Sequence, residues 1–368
     1  MFLSELGSAW HDARVEPDIA HLDSASAGRS SNAVIEAITK HLWEESRHGS
    51  YVAMDAAAQD LERGSRELAA LIGHHADELV YRDTARAALR ALLGVANLPV
   101  TTTVWVARNE FGPNLVEFGR RGFGVHTMPS ADVYGRVDTD ALENMLQFEQ
   151  PDFIHVCHIG SGNGVVQPVV EIVELAHAAG VPVVVDMAQS IGHVPTITGA
   201  DVVYGTSRKW LTGPRGVGFV AVRPDSRLRI DVEDMEAGAT AGFIAGRLGL
   251  GAAVEELIGL GPHRVFGELA TIGRAARERL TGIASWEVVE PVDEPTALVT
   301  LAPPPGFQPA DVAAAAAHLR KVGLLVTAAE AQRAPLMLDN SVLRLSPHLD
   351  VTRQDLDRLA AELRTMGY

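Results

Sequence analysis

Four short runs of valine and isoleucine constrain this chain's fold more than any other feature. They are DFIHVCHI (152–159), VPVVVDM (181–187), DVVYGT (201–206) and VGFVAVR (217–223). Strands this apolar at consecutive positions are buried on both faces, and the helical pattern VVEIVELAHAAG separates the first two. Upstream, DELVYR, TTTVWVA and FGVHTMP read as further strands, with helices over ARAALRALLGVAN and DTDALENMLQF. Strands joined by helices predict an α/β fold, a mainly parallel sheet sandwiched by helices. Ligands in such folds bind at the carboxyl ends of the strands.

After about residue 245 the texture changes. VFGELATIGRAARERLTGI reads as a long helix, and ALVTLAPPPGFQPADVAAAAAHLRKVG as strand, proline-rich turn and helix. VLRLSPHLDVTRQDLDRLAAELRTMG gives a strand, a loop and a closing helix. The expected organisation is a large domain over 16–245 and a smaller α+β domain over 246–368. Residues 1–15 are expected to pack with the small domain. The net charge of −16 disfavours nucleic acid and anionic membrane surfaces as partners, because the long-range field repels them. The single cysteine, Cys157, precludes an intrachain disulfide and fits a reducing, cytoplasmic location. No apolar run is long enough to cross a bilayer.

Lysine is scarce: the chain has Lys40, Lys209 and Lys321. The first and last sit in helical patterns. Lys209 lies in TSRKWLTGPRGVG, beside Thr206, Ser207, Arg208 and glycines that let backbone come close. Hydroxyls, a guanidinium and free backbone N–H groups suit a phosphate. Asp186 ends the preceding strand, and Gln189 follows three residues on. A helix cap explains Asp186 about equally well in isolation. A lysine beside a phosphate site, with a strand-end aspartate, suits pyridoxal 5′-phosphate. That cofactor needs an amine for covalent attachment and an acid at its pyridine nitrogen. Asp83 and Thr84 precede a helix whose N-terminus offers unpaired N–H groups, and simple capping explains both as well. Phe111, in ARNEFGPN, reads as core or as a cofactor platform. His158 and Ser161 follow DFIHVC in a glycine-rich stretch, where a turn is the alternative. His155 and His158 lack metal-site spacing, and no CxxC or HExxH occurs, which argues against zinc.

In this order and spacing, the segments resemble the class V aminotransferase family of fold-type I pyridoxal-phosphate enzymes. The resemblance runs from HLDSASAGRSS to LRLSPHLDVTRQDLDRL, nearly the whole chain. It implies that Asp186 pairs with the pyridine nitrogen, that Gln189 bonds the ring's phenolic oxygen, and that Lys209 carries the cofactor. Thr206 takes the phosphate-binding hydroxyl position, and Arg208 stands where many members have a histidine. RDTAR matches the family's phosphate turn and places Thr84 and the Ala85 N–H on the cofactor. EFGPN matches a stretch that usually carries a stacking histidine. Phe111 replaces it here, and a phenyl ring stacks without donating a hydrogen bond. Ser161 matches a position near the phenolic oxygen. RLSPHLDVT resembles the family's arginine motif, which makes Arg344 the clamp on the substrate carboxylate. MEAGATAGF resembles a segment that reaches the neighbouring subunit's phosphate, with Thr240 as a ligand, and so implies a homodimer with shared sites.

The family holds cysteine desulfurases, transaminases, epimerases, kynureninases and carbon–sulfur lyases. A desulfurase needs a cysteine on a mobile loop to take up sulfur. Cys157 lies in an apparent buried strand and reads as core. Whole-chain likeness is greatest to the lyases of ergothioneine biosynthesis, which implies β-elimination from an amino-acid sulfoxide. By analogy with an entrance segment, Trp43, His48 and Tyr51 in HLWEESRHGSYVA are candidates for the substrate's far end, although a tryptophan on a helix also reads as core. The non-enzyme alternative is a member that binds the cofactor without catalysis. The intact set of Asp186, Gln189 and Lys209 argues against it.

Overall fold

The computed structural model describes residues 3–228, 230, 232–237 and 242–366. Seven strands form the large sheet: β1 (Leu79–Arg82), β2 (Thr103–Val106), β3 (Gly124–Thr127), β4 (Phe153–Cys157), β5 (Val183–Asp186), β6 (Val202–Thr206) and β7 (Gly218–Val222). Their order is β1-β7-β6-β5-β4-β2-β3. Strands β2 to β6 pair in parallel, and β7 runs antiparallel to both its neighbours. The helices up to the last parallel strand are α1 (Glu5–Asp12), α2 (Asn32–His48), α3 (Ser50–Ala56), α4 (Ala58–Leu71), α5 (Ala85–Val95), α6 (Gly112–Arg120), α7 (Thr139–Phe148) and α8 (Val169–Ala178).

Side chains alternate across each strand, so one sheet buries two faces. Val104, Val106, Phe153, Val184, Val202 and Tyr204 turn toward Leu89 and Leu92 of α5 and Phe118 of α6. Trp105, Ile154, Val156, Val183, Val185 and Val203 turn the other way, toward Ile172 and Val173 of α8. This double burial is why the central strands read as unbroken apolar runs.

Downstream come α9 (Ile244–Leu260), α10 (Pro262–Leu280), α11 (Pro309–Lys321) and α12 (Arg353–Thr365). The second sheet has strands β8 (Glu287–Val288), β9 (Val299–Ala302), β10 (Thr327–Ala329) and β11 (Val342–Leu345), ordered β10-β11-β9-β8 and antiparallel throughout. Its core gathers Ala276 and Leu280 of α10, Leu319 of α11 and Leu359 of α12.

Both expected domain boundaries move. The one at 245/246 falls inside α9, which packs on α2 and α4 of the large domain. At the other end, Ala20–His21 pairs in parallel with Leu324–Leu325, and Leu22 is buried in the small-domain core. Residues 20–22 therefore build the small domain. The N-terminal segment touches both: Trp10 stacks on His348 at 4.5 Å, while Arg14 ion-pairs with Glu256 of α9 at 2.7 Å. No helix among the described residues is long and apolar enough to cross a membrane.

Candidate active site

Strand register sets the floor of the site. Cys157, Asp186 and Tyr204 are direct neighbours across β4, β5 and β6, at the carboxyl edge of the sheet. Asp186 does not cap a helix. Its Oδ1 accepts the Ala188 N–H at 2.8 Å, and its Oδ2 lies 3.1 Å from Tyr204 Oη and 3.2 Å from Asn114 Nδ2. Lys209 follows β6 and faces the same cleft. It is partly buried at the cleft wall, and desolvation of its amine lowers its pKa to about 7, against the pull of Asp186 and with help from Arg208, Arg344 and Arg333. An amine in that range is substantially neutral, and hence nucleophilic, at neutral pH.

The lysine loop is fixed by its neighbours. Trp210 stacks on His193 with ring centres 3.6 Å apart, and its indole N–H donates to Gln189 Oε1 at 2.9 Å. On the far side Arg14 donates to Thr212 Oγ1 at 3.0 Å. Gln189 Nε2 donates one hydrogen to the Ala25 carbonyl at 3.1 Å, which leaves its second amide hydrogen for a ligand.

An anion corner adjoins the lysine. Thr84 is the N-cap of α5: its hydroxyl oxygen accepts from the Ala87 N–H at 3.0 Å, so its own hydrogen is available outward. Gly218 makes this turn possible. A Cβ there would come within 2.5 Å of the Thr84 carbonyl carbon and 2.9 Å of the Ala85 nitrogen. Thr206 and Arg208 close the corner, although the Thr206 hydroxyl already makes a long bond of 3.3 Å to the Val217 carbonyl. Phe111, at the N-cap of α6, adds an aromatic wall. The cleft encloses about 310 Å³. That is at the small end for ligand pockets, ~300–1,000 Å³.

The small domain supplies the opposite wall. Arg344 is fully buried behind the cleft lining, where it donates to the Ser161 carbonyl at 3.1 Å, to Ser161 Oγ at 3.3 Å and to Ser26 Oγ at 3.0 Å. Its Nε has no partner among the described residues. Burial and neighbouring arginines lower its pKa to about 10. Ser161 and Ser26 line the cleft themselves, so Arg344 stands directly behind them, one layer from the opening. Arg333, on the turn Ala331–Arg333, also lines the cleft, without an ion-pair partner among the described residues. Sequence reasoning missed Arg333. The signal lies at Gly112, where a Cβ would come 1.9 Å from the Gln332 carbonyl oxygen. That glycine lets the Arg333 turn sit against Phe111.

The structure therefore brings together Thr84, Ala85, Phe111, Ser161, Asp186, Gln189, Thr206, Arg208 and Lys209, with Arg344 one layer behind. It does not bring His48 and Tyr51. Tyr51 is 75% exposed on α3, and His48 ends α2 beside Glu44 at 3.3 Å. Trp43, also a core candidate by pattern, is exposed on α2. Thr240 lies outside the described residues.

These residues fit pyridoxal phosphate. Only donors surround the Asp186 carboxylate, which leaves it an acceptor for a cationic ring nitrogen, and the Thr84–Ala85 turn suits a phosphate. Fold and site together define a fold-type I pyridoxal-phosphate enzyme. The chain belongs to the class V aminotransferase family, whose sequence profile matches residues 20–359. A probable hercynylcysteine sulfoxide lyase of Mycobacterium tuberculosis is 40% identical, over 97% of this chain and 93% of its own. A probable cysteine desulfurase of Methanothermobacter thermautotrophicus is 28% identical, over 67% of this chain and 69% of its own. Two solved cysteine desulfurases share the fold. The apo enzyme from Thermococcus onnurineus has a TM-score of 0.83 at 20% identity, covering 95% of each chain. The Escherichia coli enzyme has a TM-score of 0.84 at 18% identity, covering 98% of each.

Proposed function

We propose that this protein is a carbon–sulfur lyase that cleaves hercynylcysteine sulfoxide by β-elimination. The observation that carries the reading is the placement of Lys209, lowered to about 7, in a cleft lined by Arg333 with Arg344 one layer behind. The likeness to the Mycobacterium tuberculosis protein supports the choice of substrate.

Thr84, Ala85, Thr206 and Arg208 would hold the cofactor's phosphate, Asp186 its ring nitrogen and Gln189 its phenolic oxygen, with Phe111 against the ring. When bound, the cofactor supplies the electron sink that accepts the charge left at the substrate's Cα. Arg344 binds the substrate carboxylate, exchanging its serine partners for a charged one, and so orients the Cα–H bond. Lys209 would hold the cofactor through its amine, and its Nζ, once the substrate's amine has displaced it, removes the Cα proton. The Cβ–S bond then breaks, and the electron pair leaves on sulfur as a sulfenate. Sulfoxide oxygen bears part of that charge, which makes this a better leaving group than a thioether. Aminoacrylate hydrolyses to pyruvate and ammonia, and a two-electron reductant converts the sulfenic acid to ergothioneine.

Cys157 disfavours persulfide-forming desulfuration. It is buried at the end of β4, on a strand and not a mobile loop, and burial, followed by the charges of Glu110 and Asp186, pushes its thiol well above the ordinary range. The test is the product profile with hercynylcysteine sulfoxide. Pyruvate released one-for-one with substrate consumed is expected. A racemised amino acid, or turnover that requires a keto-acid acceptor, would overturn the lyase reading.

A further inference from the structure

Beneath the cleft lies a buried polar chain that the proposed reaction does not use. Period-two alternation places Phe153, His155 and Cys157 of β4 on one face of the sheet, with Asp186 of β5 and Tyr204 of β6. Glu110 comes to this face from the loop before α6. His155 and Glu110 are both fully buried, and so is Tyr204. The contacts run in series. Glu110 Oε2 is 2.8 Å from His155 Nδ1, His155 Nε2 is 2.9 Å from Tyr204 Oη, and Tyr204 Oη is 3.1 Å from Asp186 Oδ2.

Counting hydrogens fixes their directions. An ionised Asp186 has no hydrogen to give, so the phenol donates its only one to Asp186. The phenol oxygen must then accept from His155, which places a hydrogen on Nε2. At the far end three donors converge on Glu110 beside its contact with His155 Nδ1: the Phe111 N–H at 3.0 Å, Asn114 Nδ2 at 2.9 Å and Cys157 Sγ at 3.3 Å. These three contacts already use Glu110 as an acceptor, and the same role toward His155 Nδ1 gives the ring a hydrogen on both nitrogens. Burial alone would discharge that imidazolium, but the attraction and hydrogen bond of Glu110, with the charge of Asp186, outweigh it and raise its pKa. Asn114 uses both amide hydrogens, one on Glu110 and one on Asp186.

We propose that Glu110, His155, Tyr204 and Asn114 are positioning residues that hold Asp186 as a pure hydrogen-bond acceptor, so that the proton between it and the cofactor's pyridine nitrogen rests on the nitrogen. The proposal rests on cofactor binding at this cleft and is independent of which amino acid is the substrate. Without the relay, the aspartate in its desolvated corner competes for that proton and the electron sink weakens.

The readout is the nitrogen itself. With ¹⁵N-labelled pyridoxal phosphate bound, the unsubstituted protein should give the signal of a protonated pyridine nitrogen. Tyr204→Phe, which deletes one hydroxyl, should move it downfield toward the neutral value. The same change should raise the cofactor dissociation constant about tenfold, as for one lost hydrogen bond to a charge. His155→Gln should shift the signal in the same direction. An unmoved nitrogen signal in both variants, with only the melting temperature lowered, would reduce the chain to packing and overturn the proposal. Should neither variant fold, ¹⁵N-histidine spectra of the unsubstituted apo protein decide. A hydrogen on His155 Nε2 at neutral pH supports the relay, and a bare Nε2 overturns it.

Discussion

The two walls of the cleft differ in how far their polar groups are already satisfied. On the large-domain wall the acidic and neutral groups have partners in the fold: both Asp186 oxygens accept hydrogen bonds, Gln189 is tied to Trp210 and Ala25, and Thr84 caps α5, while the side chains of Arg208 and Lys209 have no hydrogen-bond partner among the described residues. On the small-domain wall, Arg344 has only neutral partners and one bare nitrogen, and Arg333 has no acid partner among the described residues. The first wall is preorganised, so its ligand meets fixed donors and acceptors. The second holds positive charge that an anionic group would complete. A cofactor that stays and a substrate that comes and goes match this division.

Substitutions on the two walls should therefore separate cofactor effects from substrate effects. The largest effect is expected at Lys209. Lys209→Ala should abolish the visible absorption of the lysine-bound cofactor and lower kcat by at least ~10³-fold. Retained turnover would remove Lys209 from the chemistry. Arg344→Lys should raise KM for the amino-acid substrate by ~10²-fold and leave cofactor affinity alone, because a lysine loses the bidentate fork. An equal loss of cofactor affinity would blur the two walls. Gly218→Ala should do the reverse. It drives a methyl group into the Thr84–Ala85 turn, weakens cofactor binding and costs about 1–3 kcal/mol of stability, readable by urea unfolding. Unchanged cofactor affinity would mean that the turn does not bind the phosphate.

The smallest effect is in pH. The Lys209 amine sits near 7 in the folded protein against an ordinary 10.5. Between these values the unfolded chain binds more protons, so this residue makes the apo protein more stable as pH rises. Lys209→Met should be more stable than the unsubstituted apo protein at pH 7. The gap should narrow toward pH 9 by at most about 1.4 kcal/mol per pH unit. A gap that does not change with pH would contradict the lowered pKa of the Lys209 amine.

What the sequence showed, and what it hid, follows the same division. Asp186 and Lys209 were legible because each ends or follows a strand that reads as an apolar run, and topology delivers strand ends to one edge. Arg333 was not, because it sits on a one-turn helix with no pattern, placed by contact with Gly112. The relay was hidden because register, not spacing, sets Tyr204 beside Asp186. His48 and Tyr51 were expected by analogy, but α2 and α3 carry them onto the outer surface of the chain. The misplaced boundary at residue 245 has a physical cause as well. Helix α9 is buried along much of its length against α2 and α4, so its composition resembles a new core while it completes the old one.

The central claim is that Lys209, on the preorganised wall, is the residue that carries the cofactor. The chain has only three lysines, so one measurement decides it. The protein is loaded with pyridoxal phosphate and reduced with borohydride, and the modified peptide is then mapped by mass spectrometry. The account predicts a single pyridoxyl group, on Lys209. Modification of Lys40 or Lys321 in its place, or none at all, would contradict it.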